Sequence, residues 1–545
     1  MSDPIDLPTA NGPVARPQTD NQRELARRLL EFQNVNPGFG PALVAFLKRD
    51  QSVITSCHQL DQSKWSLRVF PAEASRRQFS IDAEIQCMVT THQPLQPRIL
   101  RDLDALRRMP QCDQDVAILV AADEGAYGFT RDKKRCGFPV LCQSTADFER
   151  GLYASRTLRE ELTNLLRSVN HFDFSNEITS PADFFGRTDD IDAVLQLLQT
   201  GQSVGVFGLR KAGKSSLLHQ VRSHLRERDT LSWYVQLNAV QDPDEFRVLL
   251  VQGLARAMRE AGREVPPSLI IVDKVGEVRR TLQSDWQRRW LSDLGLLLDA
   301  ASTDAVLVID EIDLANEEEA YIEDIATVTP VGVSLPIVER GIRAELHGIL
   351  QQLRGLIQTR RARGAPSLTL LTAGVAASIF SAAHRFAADN QLFEFATIRP
   401  LGSMTRGELA EMVRTLGKRS GLRFDEHVLI DDLYTEYGGH PHLTRRSCAF
   451  VADHRPAGAN TAVPYHVARA DLDAAFSSRG ENSAWRSAHE VLNSFGFWYP
   501  QEADVLRKAS LTDAPVEIGA APHAHDFGLL GSDGHIRVRA LLRDG

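Results

Sequence analysis

The sequence predicts an α/β protein built around a parallel β-sheet with helices on both faces, preceded by a small separate α/β domain. Apolar strand-like runs alternate with helical patterns from residue 184 to about residue 400. A glycine-rich loop joins the first of those strands to a helix, and an acidic pair ends a later strand. Such alternation is typical of parallel sheets, because each connection between parallel strands must cross the sheet, usually through a helix.

The composition of the 545-residue chain is typical of a globular protein with about three domains. Its net charge of -9 argues against a chain that coats nucleic acid along its whole length. The 6 cysteines show no C-x-x-C spacing, and no apolar run is long enough to span a membrane. These features favour a reducing, cytoplasmic environment without membrane association.

The first part of the chain divides into three predicted regions. Residues 1–22 are rich in Pro, Asn, Asp, Gln and Thr. They predict a flexible tail, because such a segment buries too little apolar surface to order itself. Residues 23–170 predict an N-terminal α/β domain whose strand candidates are WSLRVF, AEIQCMVTT, DVAILVAA and FPVLCQ. The polar stretch 171–183 has no sustained period and predicts a linker.

The rest of the chain divides into three further regions. Residues 184–402 hold the strand candidates of the parallel sheet, which are SVGVFG, LSWYVQLN, AVLVID and LTLLTAG. Residues 403–475 lose the alternation and predict a helical lid. Residues 480–545 show helical patterns followed by LLGSDGHIRVR, which predicts a winged-helix-like domain with a hairpin.

A glycine loop with the sequence GLRKAGKS follows the first strand of the parallel sheet. Gly208, Gly213, Lys214 and Ser215 match the pattern G-x-x-x-x-G-K-[ST] in its required setting between a strand and a helix. Glycines let main-chain N–H groups close around a polyphosphate, and the following helix adds its dipole. We expect Lys214 to reach the β- and γ-phosphates and Ser215 to ligate Mg²⁺, with Ser216 beside them. The loop therefore predicts a site for ATP or ADP with Mg²⁺.

An acidic pair at a strand end supplies the second half of such a site. In AVLVIDEIDLA, the apolar strand ends at Asp310 and Glu311. Asp310 is expected to support Mg²⁺, and Glu311 to orient and polarise the attacking water. A third strand, SLTLLTAGV, contains Thr372, which is a candidate for a polar contact beside the γ-phosphate.

These motifs, in the order in which they occur, resemble those of STAND-type P-loop ATPases, which are relatives of the AAA+ proteins. The resemblance covers roughly residues 183–450 and includes DFFGRTDDIDAVLQLL, the glycine loop, VLVIDEID and YGGHPHLTRRSC. A looser winged-helix resemblance extends to the end of the chain. The family implies a P-loop NTPase fold and a slow, switch-like ATPase that depends on Mg²⁺.

The resemblance also implies nucleotide contacts outside the glycine loop. It implies that Phe185, Gly186 and Arg187 lie along the adenine. It implies that the lid turn containing Pro441 closes on the nucleotide from the other side, and that Arg445 approaches phosphate.

Three functions are compatible with these patterns. The first is an ATP-dependent switch that forms a homo-oligomer in its ATP state, while the N-terminal domain binds an unknown protein partner or ligand. The resemblance associates such proteins with bacterial signalling, transcriptional control or phage defence. The second is an initiator or loader that grips DNA. Residues 485–545 carry 6 basic and 8 acidic side chains, so nucleic-acid binding is possible but not favoured.

The third function is an ATP-gated nuclease in the N-terminal domain. Such chemistry needs an acidic residue and an E-x-K sequence on adjacent strands, and here Glu84 is followed by Gln86. A neutral amide cannot supply the positive charge that lysine would place beside a metal-bound water. We therefore expect recognition rather than cleavage from this domain.

Two features leave the mode of assembly open. The segment 314–341 is longer than the expected connection, and it is either a solvated acidic loop, which is favoured, or a partner-binding insertion. Arginines on or near the helical run that follows are candidates for acting on the nucleotide of a neighbouring chain: Arg340, Arg343, Arg360 and Arg361.

Overall fold

The protein forms two compact units. The computed structural model describes residues 19–96, 98–123, 137–173, 177–240, 242–266, 286–316, 337–425, 427–456, 462–512 and 514–539. The first unit contains the chain up to His171, joined by Thr415–Arg423 and Pro456–His466. The second unit contains the rest of the chain. Two pieces of the predicted lid therefore belong to the unit that contains the N-terminal α/β region.

The first unit is an α/β structure around a five-stranded sheet in the order β1-β2-β3-β4-β5. Strands β1, β2 and β3 pair antiparallel, whereas β3, β4 and β5 pair parallel. In chain order its elements are α1 (Thr19–Val35), α2 (Gly40–Lys48), β1 (Val53–Asp61), β2 (Lys64–Phe70), α3 (Glu73–Phe79), β3 (Glu84–Thr90), α4 (Arg98–Arg107), β4 (Cys112–Ala121), β5 (Val140–Ser144), α5 (Thr145–Glu149) and α6 (Leu158–Ser168).

Two elements of this unit differ from the sequence-based expectations. Strand β1 was not predicted, because it is a half-exposed edge strand without a continuous apolar run. Helix α1 begins at Thr19, inside the region predicted as a tail, and residues 1–18 lie outside the described part of the chain.

Alternate side chains of β3 enter two different apolar clusters, one on each face of the sheet. Cys87 and Val89 pack in a cluster that includes Phe32 and Leu43 from α1 and α2. Met88 packs in the second cluster, which includes residues of α4. Because successive strand residues point to opposite faces, a sheet covered on both sides requires this nearly continuous apolar sequence.

The strand ends considered for a nuclease have other contacts in the structure. Glu84 forms an ion pair with Arg68 on β2, with 2.8 Å between Oε2 and Nη1. The Gln86 side chain is buried, and its amide donates to Ser66 Oγ and to the Leu67 carbonyl. Gln86 therefore takes part in the hydrogen bonding of the sheet interior.

The second unit contains a five-stranded, all-parallel sheet. Its strands are β6 (Ser203–Phe207), β7 (Leu231–Gln236), β8 (Ala305–Asp310), β9 (Leu368–Gly374) and β12 (Ala396–Pro400), and their order is β12-β6-β9-β8-β7. A two-residue hairpin, β10 (His384–Arg385) with β11 (Ala388–Asp389), precedes β12. The parallel sheet confirms the fold class predicted from the sequence, since β6 leads directly through the glycine loop into a helix.

The sequence predicted four of these five strands, which are β6, β7, β8 and β9. Strands β6, β8 and β9 are buried along their whole length, which explains their uninterrupted apolar sequences. Strand β12 was missed because it is a partly exposed edge strand with the mixed sequence ATIRP. Since β9 lies between β6 and β8, the ends of these three strands meet at one edge of the sheet.

Helices surround the parallel sheet and continue beyond it. Among the described residues, none of them combines the length and apolarity needed to cross a membrane. In chain order they are α7 (Thr188–Gln199), α8 (Lys214–Glu227), α9 (Pro243–Glu260), α10 (Trp286–Ala301), α11 (Ile337–Ala362), α12 (Ser378–Ser381), α13 (Arg406–Arg419), α14 (His427–Tyr437), α15 (Pro441–His454), α16 (Arg469–Ser477), α17 (Ala484–Trp498), α18 (Pro500–Thr512) and α19 (Pro522–Asp526).

The structure describes parts of the predicted linker and of the predicted insertion, and all of the predicted C-terminal hairpin. In the predicted linker, the Ile178 N–H donates to Ser216 Oγ at 2.9 Å, so this part of the segment is tied to helix α8. In the predicted hairpin LLGSDGHIRVR, the described residues form one antiparallel bridge between Leu530 and Ile536. Most of the predicted insertion, residues 317–336, lies outside the described part of the chain.

An acidic and basic cluster joins the end of α13 to β4 within the first unit. Asp115 accepts from Lys418 Nζ at 2.9 Å and from Arg419 Nε at 3.0 Å, and Lys418 also pairs with Asp113. Burial alone would raise the pKa of Asp115, but the charges of Lys418 and Arg419 outweigh it and lower that pKa. A short parallel pair, β13 (Leu422–Arg423) with β14 (Tyr465–His466), follows in the same unit.

We predict that Asp115→Ala destabilises the first unit by roughly 3–5 kcal/mol at neutral pH, because it removes the carboxylate that balances two largely buried cations. Hydrogen exchange of the β4 amides, followed by mass spectrometry, measures the effect. The difference from the unsubstituted protein should shrink as the pH falls through the lowered pKa of Asp115, since the carboxylate form is then lost. Glu73→Ala, which removes an exposed ion pair, is the control and should change little.

Candidate functional site

A cavity of about 630 Å³ opens at the carboxyl ends of the parallel strands in the second unit. We call it the strand-end cavity. Its walls come from the glycine loop, from the segment before α7, from the ends of β7, β8 and β9, and from α11, α15 and α17. Lining residues that the sequence predicted as site residues are Phe185, Arg187, Gly213, Lys214, Ser215, Ser216, Glu311, Pro441 and Arg445.

The two glycines of the loop are required for different physical reasons. Gly213 has a φ of +100°, a left-handed conformation that favours glycine, and it stands directly before the first residue of α8. Gly208 has an ordinary φ, but a Cβ there would lie 2.7 Å from the Leu401 carbonyl oxygen. The loop can therefore turn tightly and pass close to the segment after β12.

Lys214 folds back over its own loop. Its Nζ donates to the Gly208 carbonyl at 3.0 Å and to the Leu209 carbonyl at 2.9 Å. Burial lowers the pKa of Lys214, and nearby carboxylates, with Asp313 and Glu311 foremost, oppose this effect. The ammonium is thus held inside the cavity among opposite charges.

The two serines after Lys214 have different surroundings. Ser215 lines the strand-end cavity at the first turn of α8, as the sequence predicted. Ser216 also borders the cavity, but its hydroxyl oxygen accepts the Ile178 N–H. Ser215 is therefore the better placed of the two to ligate a cation.

Asp310 and Glu311 occupy different positions at the end of β8. Asp310 is almost fully buried, does not line the cavity, and accepts the Tyr234 hydroxyl at 2.7 Å and the Glu311 N–H at 2.9 Å. Glu311 lines the cavity in a left-handed conformation, with φ at +55°. Burial raises the pKa of its carboxyl, and neighbouring Lys214 opposes the shift. A raised pKa suits a carboxylate that accepts a proton from water.

A third carboxylate, Asp313, was not predicted. Its carboxylate accepts the Val375 N–H at 2.8 Å and the Ala376 N–H at 2.7 Å, both directly after β9. Burial raises its pKa, and these two hydrogen bonds oppose the shift. A Cβ on Gly374 would lie 2.7 Å from Asp313 Oδ1, so the close approach requires glycine there. The available signal was a third acidic residue, two positions after the acidic pair, in an otherwise apolar segment.

Thr372, the predicted polar contact beside the γ-phosphate, is not among the residues that line the strand-end cavity. Thr372 is fully buried within β9, and its hydroxyl donates to the Val204 carbonyl at 3.4 Å. The cavity is lined instead by Val375, beyond the end of the strand.

The segment before α7 is held by a residue that sequence reasoning missed. Glu408, on the first turn of α13, accepts the Arg187 N–H at 2.6 Å and the Thr405 N–H at 2.7 Å. The Arg187 guanidinium donates to the Gly402 carbonyl at 2.6 Å. Gly186 has a φ of +65°, and a Cβ there would clash with Glu408. Phe185 and Arg187 line the cavity, whereas Gly186 supplies the turn between them.

The lid turn contacts the glycine loop through His440. Its Nδ1 accepts the Leu443 N–H, and its Nε2 lies 3.3 Å from the Arg210 carbonyl oxygen. Burial lowers the pKa of His440 to about 4, so the ring is neutral at pH 7 and its Nε2–H donates to Arg210. Pro441 and Arg445 line the cavity, and Arg445 Nε also donates to the Phe172 carbonyl at 3.4 Å.

Residues of α17 complete the cavity wall. Ser494 and Trp498 line the cavity, although the sequence assigned them to a separate winged-helix-like domain. The Tyr499 hydroxyl donates to the Val375 carbonyl at 2.9 Å and accepts the Ala377 N–H at 3.2 Å. The C-terminal helices therefore contact the same main-chain segment that Asp313 holds.

The candidate arginines on α11 separate into two groups. Arg343 lines the strand-end cavity, and its Nη1 donates to the Asp313 carbonyl at 3.0 Å and to the Asn316 carbonyl at 3.4 Å. Arg360 and Arg361 instead bind carbonyls just before and at the amino end of β9. The side chain of Arg340 lies outside the described residues.

The protein oxygens of the cavity suit a cation that is coordinated mainly by the phosphates of a bound substrate and by water. Within the described residues, no group of three or more His, Cys, Asp or Glu side chains could hold a metal ion by itself. Mg²⁺ commonly keeps several waters and takes one or two protein oxygens together with substrate phosphates. Ser215, which lines the cavity, and Asp310, which is buried next to the lining residue Glu311, fit that limited role.

Comparisons with known proteins find matches among solved structures. No protein-family model matches the chain, and no curated protein is similar to it in sequence. The Walker-type ATPase PABY2304 of Pyrococcus abyssi is similar at 14% identity and a TM-score of 0.42, over 68% of this chain and 99% of that chain.

Two further solved structures are similar at comparable levels. A RuvB mutant of Thermotoga maritima has 14% identity and a TM-score of 0.30, over 68% of this chain and 91% of that chain. Cdc6p of Pyrobaculum aerophilum has 12% identity and a TM-score of 0.35, over 64% of this chain and 82% of that chain. The strand-end cavity is therefore described by its own lining residues and hydrogen bonds.

We predict that Asp313→Asn loosens the segment after β9. The amide keeps one acceptor oxygen but turns its NH₂ group towards main-chain donors, which costs about 1–3 kcal/mol for a buried group left without its partner. Hydrogen exchange at Val375 and Ala376 should therefore accelerate. Asp304→Asn is the matched control, because exposed Asp304 accepts the Ser367 N–H just before the amino end of β9. Equal exchange in both variants would contradict the role assigned to Asp313.

Proposed function

We propose that the protein is a Mg²⁺-dependent ATP-binding and ATP-hydrolysing switch of the STAND or AAA+ type. The observation that carries this proposal is the meeting of two groups in one cavity. Lys214 lies at the start of α8 behind a glycine loop, and Glu311 lies at the end of β8. A polyphosphate held by the first would lie within reach of a water oriented by the second.

Charge and size in the cavity support a nucleoside triphosphate as the ligand. Arg210, Lys211 and Arg445 line the cavity together with Lys214, and the amino end of α8 adds a partial positive charge. The cavity volume of about 630 Å³ is in the range of small-molecule sites. Phe185 on one side and Pro441 on the other offer apolar surfaces for a base, as the family resemblance implies.

The proposed hydrolysis divides roles among residues of this chain. Water oxygen forms a bond to the γ-phosphorus, and the bond from that phosphorus to the β–γ bridging oxygen breaks, which releases ADP and phosphate. Glu311 takes the proton of the attacking water, and Lys214 holds the phosphates. Ser215 and Asp310 would hold Mg²⁺, which neutralises phosphate charge when bound. The hydrogen bond from Tyr234 keeps the Asp310 carboxylate fixed for that role.

The switch part of the proposal is supported by contacts that join the cavity to other segments of the second unit. His440 joins the lid turn to the glycine loop, and Tyr499 joins the C-terminal helices to the segment after β9. A change in nucleotide state would alter both contacts. We propose that the ATP state exposes a surface for self-association, and that the N-terminal unit recognises a protein partner or ligand in bacterial signalling or defence in the cytoplasm.

A DNA-binding initiator or loader is the less favoured alternative. The segment 485–545 has more acidic than basic residues, which disfavours the phosphate contacts that dominate DNA affinity. The described residues of the expected hairpin form one bridge between Leu530 and Ile536, so they offer little of the strand surface expected of a wing.

We predict that Lys214→Ala weakens ATP binding by roughly 10-fold to 100-fold, because a charged hydrogen-bond donor contributes about 1.5–3 kcal/mol. Calorimetric titration with Mg²⁺-ATP measures the affinity, and circular dichroism checks the fold. Lys508→Ala, at an exposed position of α18, is the matched control and should bind as the unsubstituted protein does. Unchanged affinity in Lys214→Ala would remove the basis of the proposed site.

We predict that Glu311→Gln and Asp310→Ala fail in different ways. Glu311→Gln should bind ATP normally but hydrolyse it about 10²- to 10⁴-fold more slowly, since only proton acceptance is lost. Asp310→Ala should weaken the binding of Mg²⁺-ATP itself. If the two variants have the same affinity and the same rate, the division between metal support and base is wrong. In the switch proposal, Glu311→Gln with ATP should also form more assembled protein by light scattering than the ADP form.

A further inference from the structure

We propose that Arg343 contacts the terminal phosphate of the nucleotide bound in its own chain. This inference rests on the proposed function, because it assigns a residue to the same ATP site. Arg343 then supplies charge in cis, whereas the sequence left it among candidates for acting on a neighbouring chain. Thr372, the sequence-based candidate for a contact beside the γ-phosphate, is buried within β9 and does not line the cavity.

The position of Arg343 within the cavity is fixed by main-chain contacts. Only 9% of Arg343 is exposed, and the residue lines the strand-end cavity from α11. It binds the carbonyls of Asp313 and Asn316, which are two and five residues beyond Glu311. The guanidinium therefore stands on the side of the cavity where Glu311 stands. In the proposed reaction, this is the side that the attacking water and the γ-phosphate occupy.

A guanidinium suits this position chemically. It is planar, always charged, and matches two phosphate oxygens at once, whereas an ammonium acts as a point charge. Its charge would oppose the negative charge that spreads over the γ-phosphate oxygens as the bond to the bridging oxygen breaks. Because the site is largely buried, that interaction is weakly screened. ADP has no γ-phosphate, so the contact distinguishes ATP from ADP.

Burial favours action in cis over action in trans. A side chain that reaches another chain's nucleotide must project from its own surface, and Arg343 is instead held inside its own cavity. His347, one helical turn later, lies 3.2 Å from the Ala315 carbonyl through its Nδ1, so α11 follows the segment after Glu311 for at least one turn. Arg360 and Arg361 lie beyond this region, where they contact residues beside and at the amino end of β9.

The first test compares nucleotide affinities and hydrolysis rates of the full-length variants Arg343→Ala and Arg343→Lys. Arg343→Ala should lower kcat by about 10²- to 10³-fold, as the loss of one charge-stabilising donor does in other enzymes. It should weaken ATP binding but leave ADP binding unchanged. Arg343→Lys should recover part of the ATP preference because it restores the charge. Arg354→Ala, three turns further along α11, is the control and should match the unsubstituted protein.

The outcomes of this test separate the possible roles. Equal weakening of ATP and ADP, with faster hydrogen exchange in residues 311–316, would overturn the inference and leave Arg343 with a structural part only. Unchanged ATP affinity and rate would also overturn it. If the unsubstituted protein itself neither binds nor hydrolyses ATP, the proposed function fails first, and Arg343 fails with it.

The second test mixes two impaired variants. Lys214→Ala has a weakened phosphate site but keeps Arg343, whereas Arg343→Ala keeps the phosphate site. If Arg343 acts in cis, every chain in the mixture lacks one needed residue, and the rate equals the sum of the separate rates. If it acts in trans, mixed oligomers combine an intact site with a neighbour's arginine, and activity rises above that sum. A rise would overturn the inference.

Discussion

The balance of charge around the buried Lys214 ammonium is the constraint on which the strand-end cavity depends. Burying an ammonium is costly unless opposite charges lie near it. Burial lowers the pKa of Lys214, and the same burial raises the pKa values of Glu311 and Asp313. Burial favours the neutral form of each group, and the opposite charges beside it oppose that effect. A polyphosphate ligand would enter a site where positive charge is already held beside the groups that act on water.

The strand order makes this charge balance possible. Lys214 follows β6 and the carboxylates follow β8, and β9 lies between those strands. The loops after β6 and β8 must therefore approach each other across the end of β9. Gly374 allows this approach because a Cβ there would lie too close to Asp313. Asp313 then fixes the segment after β9 through two main-chain N–H groups. The fold thus determines which strand ends meet, and small residues determine how closely they meet.

The candidate site residues named from the sequence are those that local rules can identify. The glycine loop was recognisable because a left-handed φ at Gly213 and a close approach at Gly208 each demand glycine. Strands with continuous apolar sequences were found, whereas edge strands β1 and β12 were missed, because half-exposed strands lack that signal. Residues that act across long sequence distances, such as Glu408 and Tyr499, could not be assigned from spacing. The hydroxyl of Thr372 donates to the Val204 carbonyl, a partner that only the folded sheet shows.

The segment after β9 connects the chemistry of the cavity to the C-terminal helices. On one side, Asp313 accepts from Val375 and Ala376, and on the other, the Tyr499 hydroxyl bonds to both Val375 and Ala377. The main-chain groups of residues 375–377 therefore bind either Asp313, just after β8, or Tyr499, just before α18. A shift of Asp313, whose own carbonyl accepts from Arg343, would have to be absorbed by this segment or passed to Tyr499. Because packed interiors yield little, a displacement at the phosphate end would reach the C-terminal helices within one short segment.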